Sequence, residues 1–305
     1  MKKIVISIID YKGKENTVSC LASLEKIVVP KNFTLDVVII NNYPTDVLSI
    51  RNIYKNFTLT VLQNTTNSGF SGGHNVSFSF AKEHDATYTL VMNNDVTVDS
   101  KLLSELVSVA EGDQKIGMVC PKIYFSKGSE YHKDRYTEKE LGHVFWYAGG
   151  LIDWNNVLAT HRGVDEVDHG QYDKTEETEF ATGCCFLIRM DVVKEIKGFD
   201  ERYFLYLEDL DLNMRVKSEG YKVLYAPTAR LWHHNAGSTG GSGSNLQDYF
   251  TTRNRLLFAH DYASLRARFA LFRESLRLLH QGREWQRNGV VDYYLHRFGK
   301  GRYNV

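Results

Sequence analysis

Tyr88-Thr89-Leu90-Val91-Met92-Asn93-Asn94-Asp95 is the stretch whose reading decides the fold. An apolar run with no polar break ends abruptly in three side chains bearing amides or a carboxylate. Short runs of this kind are strands buried on both faces. Upstream, residues 4–9, 35–40 and 59–62 have the same character. Between the first two, Val18, Leu21, Leu24 and Ile27 recur at near-helical spacing, and residues 73–84 read as a second helix before the fourth strand. Strands separated by helices predict an α/β fold with a doubly wound, mainly parallel, Rossmann-like sheet. Ligands of such sheets gather beyond the carboxyl ends of the strands, which is where Asn93-Asn94-Asp95 falls.

Further along, the rhythm changes. Residues 146–152 and 157–162, with a turn at 153–156, predict a hairpin. Residues 179–189 read as another strand, followed by a helix from Asp191 and a turn at Gly198. A helix over 208–220 closes on Gly220, and residues 221–225 and 229–233 read as two short strands. A glycine-serine loop, 237–244, precedes helices running to about His280, and the tail after it reads as turn-rich.

The 305 residues, 43% hydrophobic and 24% charged with four prolines, suit one large α/β domain with an appendage or two small domains. A formal net charge of zero hides an imbalance: residues 253–302 hold eleven Lys/Arg against four Asp/Glu. A basic end points to an anionic lipid, a phosphate-bearing substrate or nucleic acid, or is simply a solvated helical face. Within it, Leu265, Phe269, Phe272, Leu276 and Leu279 lie at helical spacing, interleaved with Arg266, Arg268, Arg273 and Arg277. That pattern suits an interfacial helix, or packing on the catalytic domain or a second subunit. Cys20, Cys120, Cys184 and Cys185 form no CxxC pair and read as buried thiols of a reduced compartment. The apolar run at residues 4–9 is too short for a secretion signal, and nothing nears the roughly 18–20 apolar residues that span a bilayer. A cytoplasmic location is expected.

Polar clusters follow the strands. Asn41-Asn42 follow the second, Asn67-Ser68-Gly69-Phe70-Ser71-Gly72-Gly73-His74-Asn75 the third and Asn93-Asn94-Asp95 the fourth, so all three should share one rim. Glycines let backbone approach a ligand and offer it amide hydrogens, although alone this loop could equally be a flexible turn. It is neither a Walker loop nor a dinucleotide fingerprint. A carboxylate such as Asp95 at a strand end suits magnesium or manganese held largely by phosphates and water. Glu208, Asp209 and Asp211 occupy three of four successive positions, either as the acidic start of a helix or as a general base with its helpers. His233, in Trp232-His233-His234, is a further metal ligand or a core histidine.

In their order along the chain these segments resemble the family 2 glycosyltransferases, and most closely their bacterial rhamnosyltransferase-like branch, from about Ile4 to about Phe258. NSGFSGGHN (67–75) resembles the family's N-x-GF-x-GG-x-N loop and NNDV (93–96) its metal-binding DxD motif. GFDERYFLYLEDLDLNMRVKSEGY (198–221) is similar to the acceptor-site helix, and WHHNAGSTGG (232–241) and TTRNRLLF (251–258) to the closing segments. The resemblance implies a GT-A fold, a catalytic unit over 1–244 (nucleotide-sugar part about 1–125, acceptor part about 126–244) and a basic helical extension over 245–305. It implies a metal-dependent, inverting hexosyltransferase. Asp95 and His233 would hold Mg2+ or Mn2+, and Asp10, Asn41, Asn67, Gly69, Gly72, Gly73, Asn75 and Asn94 would surround the donor. Asp209 would be the base, with Glu208 orienting it or the acceptor, and with Gly183, Asp211 and Arg215 on the acceptor side. Two positions depart from the pattern: Asn41 stands where the family commonly has Asp, and Asp10-Tyr11-Lys12 where it has Asn-Tyr-Asn.

The donor implied first is dTDP-rhamnose, with UDP-sugars such as galactofuranose as the alternative. The acceptor implied is a glycan or lipid-linked saccharide of the cell surface, with peripheral contact at the inner membrane face and a homo-oligomer as open expectations. Rival readings fare less well. A nucleotidyltransferase would carry a basic, glycine-rich loop after the first strand, a poor match to Asp10-Tyr11-Lys12-Gly13-Lys14. A silent sugar-nucleotide-binding scaffold would have lost Asp95 or the Glu208-Asp209 pair. No nucleic-acid reading motif accompanies the arginines.

Overall fold

The four apolar runs of the first ninety or so residues pair side by side, all pointing the same way. The computed structural model describes residues 1–50, 53–234 and 243–303. In chain order come β1 (Lys2–Asp10), α1 (Lys14–Leu24), β2 (Phe33–Asn41), β3 (Thr58–Gln63), α2 (Gly69–Glu83), β4 (Tyr88–Met92), β5 (Val96–Val98), α3 (Leu102–Ala110) and β6 (Ile116–Phe125). Next are β7 (Phe145–Tyr147), β8 (Gly150–Asp153), β9 (Leu158–His161), β10 (Glu176–Glu177), β11 (Cys185–Arg189), α4 (Met190–Ile196), α5 (Glu208–Ser218) and β12 (Lys222–His233). The helices α6 (Asn245–Tyr262), α7 (Leu265–Gln281) and α8 (Glu284–Tyr294) follow.

The main sheet runs β10-β12-β6-β11-β4-β1-β2-β3, with β5 added to β12 and β7 to β6. Strand β1 pairs in parallel with β2 and β4, and β2 with β3. Strand β11 is antiparallel to both β4 and β6, and β12 is parallel to β6. Hence β1, β2, β3, β4, β6 and β12 all point one way, and their carboxyl ends form one rim. Asp10, Asn41, Gln63 and His233 end their strands there, Asn93-Asn94-Asp95 follows β4, and β11 begins there. The doubly wound reading holds because the strands are dry on both sides: Ile4, Val5, Ile6 and Ile8 of β1, Val37–Ile40 of β2 and Leu90–Met92 of β4 are fully buried.

Close packing of α2 on the sheet depends on glycine. A Cβ on Gly73 would lie 2.6 Å from the Ile9 Cδ1. Gly69 opens α2 at φ +70°, with Phe204 O 2.3 Å from where its Cβ would be. Gly69→Ala therefore combines left-handed strain with a backbone clash and should cost about 2–4 kcal/mol. A lowered urea midpoint at unchanged slope would show it, and an unchanged midpoint would refute it.

Several expectations need correction. Residues 146–152 do not form one hairpin arm: Gly149, at φ +109°, breaks the run. Strand β7 before the break joins β6, and only β8 pairs with β9. Residues 179–184 stay outside strand β11 and connect across the rim. The two short strands expected over 221–233 are one strand, β12, whose register against β6 shifts between Ala226 and Arg230 around Pro227. The tail is not all turns. Its glycines mislead, since Gly282 ends α7 while Gly289 lies inside α8, where a Cβ would be 2.7 Å from Tyr249 O. At the start of α8, Gln286 Oε1 reaches back to accept from Arg283 N at 3.0 Å. Residues 237–242 of the expected glycine-serine loop, and of the WHHNAGSTGG segment residues 235–241, lie outside the described residues.

All four cysteines are free and buried. Burial pushes the thiols of Cys20 and Cys120 up to about 12. Among the described residues no helix is long and apolar enough to cross a membrane.

Candidate active site

On the left half of the rim, hydrogen bonds tie strand ends to loops. Asp10 Oδ2 accepts from the Thr17 hydroxyl, and Asn94 Nδ2 donates to the same Thr17 Oγ1 at 2.9 Å, so α1 is held between the ends of β1 and β4. Asn41 Nδ2 donates to Asp46 O and Gln63 Oε1, both at 2.7 Å, while its Oδ1 accepts from Tyr43 N at 3.1 Å. An Asp could not make the donation to Asp46 O, which gives the amide at this position a local reason. The Asp10-Tyr11-Lys12 departure has a geometry too. The Lys12 ammonium sits 4.6 Å from the Tyr43 ring and 5.3 Å from the Tyr11 ring, placing a cation among rim aromatics.

The loop before α2 is organised by Asn42, a residue with no role of its own in the motif reading. Its Oδ1 accepts from Asn64 Nδ2 (2.9 Å), Ser68 Oγ (3.0 Å) and Ser68 N (3.2 Å), and its Nδ2 donates to Gly69 O at 2.8 Å. Asn67 Oδ1 accepts from Gly69 N at 2.9 Å. Gly72 lies against Ser68, 2.8 Å from a would-be Cβ. Asn75 faces the other way: its amide donates to Phe199 O and Glu201 Oε1, both at 3.0 Å, and its oxygen accepts from Phe199 N at 2.8 Å. It clamps α2 to the segment leading into α5.

Asp95 and His233 meet because β5 lies antiparallel on β12, with Val96 opposite His233 and His234 N donating to Asp95 O at 2.9 Å. The result is Asp95 Oδ1 at 3.3 Å from His233 Nε2, both residues under a tenth exposed. Behind them, the Trp146 ring is 4.6 Å from the His233 ring and 4.4 Å from that of His161. Burial pulls His161 down to about 4, helped by His233. Trp146 and His161 sit on β7 and β9, so only a non-local contact could have identified them.

One carboxylate oxygen and one imidazole nitrogen fit a hard or borderline divalent cation whose remaining ligands are phosphate and water oxygens. Among the described residues the buried His233 Nδ1 has no hydrogen-bond partner. Among the described residues no group of three or more His, Cys, Asp or Glu side chains could cage a metal unaided. The Cys184 thiol is no competitor, since burial and then Asp95 hold it well above its ordinary pKa.

The right half carries the carboxylates of α5. Asp209 Oδ2 accepts from Gly183 N at 2.8 Å and Oδ1 from Leu210 N at 2.9 Å. The next residue, Cys184, accepts from Asn93 N at 2.9 Å through its carbonyl, so residues 183–184 bridge Asp209 to the Asn93–Asp95 turn. Burial raises the Asp209 pKa above its usual 3.8, outweighing the backbone donors. Glu208 is raised well above 4.5, by burial first and then by Asp209 and Asp211, and its Oε2 has no partner.

A carboxyl raised on folding binds its proton more readily in the folded chain. Its contribution is therefore present at low pH and lost as pH climbs from about 4.5 toward the raised value. Glu208→Gln should flatten that loss, raising Tm at neutral pH while leaving it nearly unchanged at pH 4. A lower Tm at neutral pH would count against a strained, ionised Glu208.

Asp211 and Arg215 serve the scaffold. Arg215 donates to Asp211 Oδ2 through Nε (2.8 Å), and through Nη1 to Ile196 O (2.8 Å) and Gly198 O (2.6 Å). Tyr262 of α6 donates to the other Asp211 oxygen at 2.7 Å. So Asp10, Asn94, Asp95, His233, Gly183, Glu208 and Asp209 come together at the rim, whereas Asn75, Asp211 and Arg215 fasten what surrounds it.

The backbone entering α5 is unusual. Phe204, Tyr206 and Leu207 are left-handed, at φ +63°, +68° and +66°. Asn254 Nδ2 reaches Tyr203 O, Leu205 O and Tyr206 O, each at 2.8 Å, while Arg253 Nη2 donates to Tyr203 O at 3.0 Å and Arg202 O at 3.2 Å. On the opposite side Phe70 N donates to Phe204 O at 2.7 Å. Both α6 residues are fully buried, and the charged Arg253 lies between the rings of Tyr249 and Phe250.

A mostly parallel sheet in which β11 runs antiparallel between β4 and β6, with a rim that bears Asn93-Asn94-Asp95, is the GT-A glycosyltransferase fold. The profile described as "Glycosyltransferase like family 2" matches residues 13–259, and the chain belongs to that family. A solved structure of GalNAc-T7 with UDP, GalNAc and Mn2+ superposes with a TM-score of 0.59 at 15% identity, over 92% of this chain and 58% of that one, a likeness of fold alone. The N-acetylglucosaminyl-diphospho-decaprenol L-rhamnosyltransferase of Mycobacterium tuberculosis is 46% identical over 158 residues, 50% of this chain and 48% of that protein. Escherichia coli rhamnosyltransferase WbbL is 32% identical over 173 residues, 54% and 61% of the two chains. The chain thus spans about half the length of the first of these relatives.

Proposed function

We propose that this chain is an inverting glycosyltransferase that moves a sugar, L-rhamnose from dTDP-rhamnose as first assignment, to a glycan or lipid-linked saccharide in cell-surface polysaccharide synthesis. The observation that carries this reading is the placement of Asp209, a carboxylate of raised pKa one peptide away from the turn that bears Asp95. Names of the rhamnosyltransferase relatives support the donor assignment. Residues 1–244 form the catalytic unit in this proposal, and 245–305 its helical extension.

In the proposed reaction Asp209 takes the proton of the acceptor hydroxyl. The freed oxygen bonds to the anomeric carbon as the bond from that carbon to the diphosphate oxygen breaks on the opposite face. The nucleoside diphosphate leaves, and no covalent enzyme intermediate forms. Asp95 and His233 would hold a divalent cation, Mg2+ or Mn2+, which supplies Lewis-acid stabilisation of diphosphate charge when bound. Asp10, Asn41, Asn67 and Asn94, with Gly69, Gly72 and Gly73, shape the donor side, and Lys12 adds a positive charge there. Burial keeps Asp209 basic, Gly183 N fixes its orientation, and Glu208 stands beside it at the start of α5. Asn75, Asp211 and Arg215 keep α2 and α5 in place.

The test is nucleoside diphosphate release from dTDP- and UDP-sugars, UDP-galactofuranose included, with Mg2+ or Mn2+ and with chelator. Metal-dependent release from dTDP-rhamnose is expected, with Asp95→Ala lowering kcat/KM about 10²–10³-fold. Release that ignores both chelator and Asp95→Ala would remove the metal from the mechanism. Absence of both turnover and nucleotide binding would remove the transferase itself.

A further inference from the structure

Helix α7 carries an apolar row that the other described residues leave bare. Leu265 is 82% exposed, Phe269 62%, Phe272 45%, Leu276 50% and Leu279 37%. The opposite face, through Ala267, Leu271 and Ser275, is buried in the protein. Flanking the row, Arg266, Arg273 and Arg277 are exposed. The single acid of the helix, Glu274, points to Arg255 Nη1 at 2.9 Å and leaves those arginines unneutralised from within α7.

Two occupants fit a bare apolar stripe: another helix or a lipid surface. Spacing alone would allow the first, because 265, 269, 272, 276 and 279 follow the alternating four-three steps of a coiled-coil seam. Charge decides against it. The positions beside that seam are Arg266, Arg268, Arg273, Ser275 and His280, so a symmetric pairing would set arginine against arginine with no acid to answer it. An anionic lipid surface satisfies both features at once, taking the apolar row among its acyl chains and the guanidinium groups at its headgroups.

We propose that α7 docks the protein flat on an anionic lipid bilayer. The surface belongs to α7 and α8 and uses none of the rim residues, so it stands or falls separately from the proposed reaction. At its edge, Tyr294 of α8 meets Ser275 Oγ at 2.8 Å and is itself 42% exposed, extending the contact face.

Flotation of the full chain with vesicles tests this, using phosphatidylcholine alone or mixed with phosphatidylglycerol. Binding to the mixed vesicles is expected, weakening as salt rises, with little binding to phosphatidylcholine alone. Each Arg→Gln change should weaken it about fivefold, so the triple variant R266Q/R273Q/R277Q should lose about 100-fold. Phe269→Ser with Leu276→Ser should abolish it, and since both side chains face solvent, the circular dichroism melt should stay unchanged. Equal binding to both vesicle types, or none to either, would overturn the proposal. So would a wild-type dimer in lipid-free solution that the serine variant dissociates, because the face would then belong to a second copy.

Discussion

Asp209→Asn is expected to lower kcat about 10³–10⁴-fold while leaving donor binding within a fewfold of wild type. The substitution keeps the shape and one acceptor oxygen, so one of the two contacts with Gly183 N and Leu210 N survives, and a Tm measurement should show a modest loss of stability beside the loss of rate. What it removes is the ability to take a proton. In the wild type the rate needs the ionised carboxylate, whose pKa burial has raised above 3.8. The rate should therefore fall as pH drops through that raised value, and the acid limb of the profile should vanish in the residual activity of the variant. Because Glu208 is raised beside it, the limb belongs to the coupled pair. Glu208→Gln should leave an acid limb in place, because burial is what raises Asp209. A loss under tenfold in Asp209→Asn would move the base elsewhere.

The second large effect concerns a residue that touches no substrate in this scheme. Asn254→Ala leaves the carbonyls of Tyr203, Leu205 and Tyr206 without their shared amide donor, in a loop that already holds three left-handed residues. Tyr203 O keeps its bond from Arg253, but Leu205 O and Tyr206 O lose theirs, which should cost about 2–4 kcal/mol of stability, partly offset as the loop relaxes. The loop leads straight into Glu208, so its relaxation should misplace Asp209 and lower kcat about 100-fold, as misplacements near 1 Å do. The donor side is held by other elements, so the nucleotide Kd should change little. If kcat stayed intact at a temperature where the variant is folded, the loop would have no positioning role.

Local pattern carried the left half of the molecule. Strands β1, β2 and β4 are mostly apolar runs, and strand β4 ends at Met92 just before Asn93-Asn94-Asp95, so the rim residues were legible as a group. The reversal of β11 between β4 and β6 was not, because nothing inside residues 185–189 reveals which neighbours they pair with. Register shifts hide in the same way. Pro227 looks like a break between two strands, yet β6 offers partners on both sides of it. Gly289 looks like a turn, yet it marks where α8 presses on α6. At the site, Asp95, His233 and Asp209 carried a motif or a strand end, whereas Asn42, Trp146 and His161 act through contacts across the fold. Asn75, Asp211 and Arg215 share the motifs' positions but spend their polar groups on the scaffold.

The clasp on residues 203–207 also sets an order of events. One jaw, Phe70 N, belongs to the start of α2, and the other, Arg253 and Asn254, to a helix that begins after β12 is complete. During synthesis, the sheet and both ends of the rim can therefore assemble while the peptide before Glu208 still lacks half of its grip. On the proposed reading, the donor side of the nascent chain takes shape before Asp209 is set, and the last grip on the peptide before Glu208 arrives only once α6 has left the ribosome.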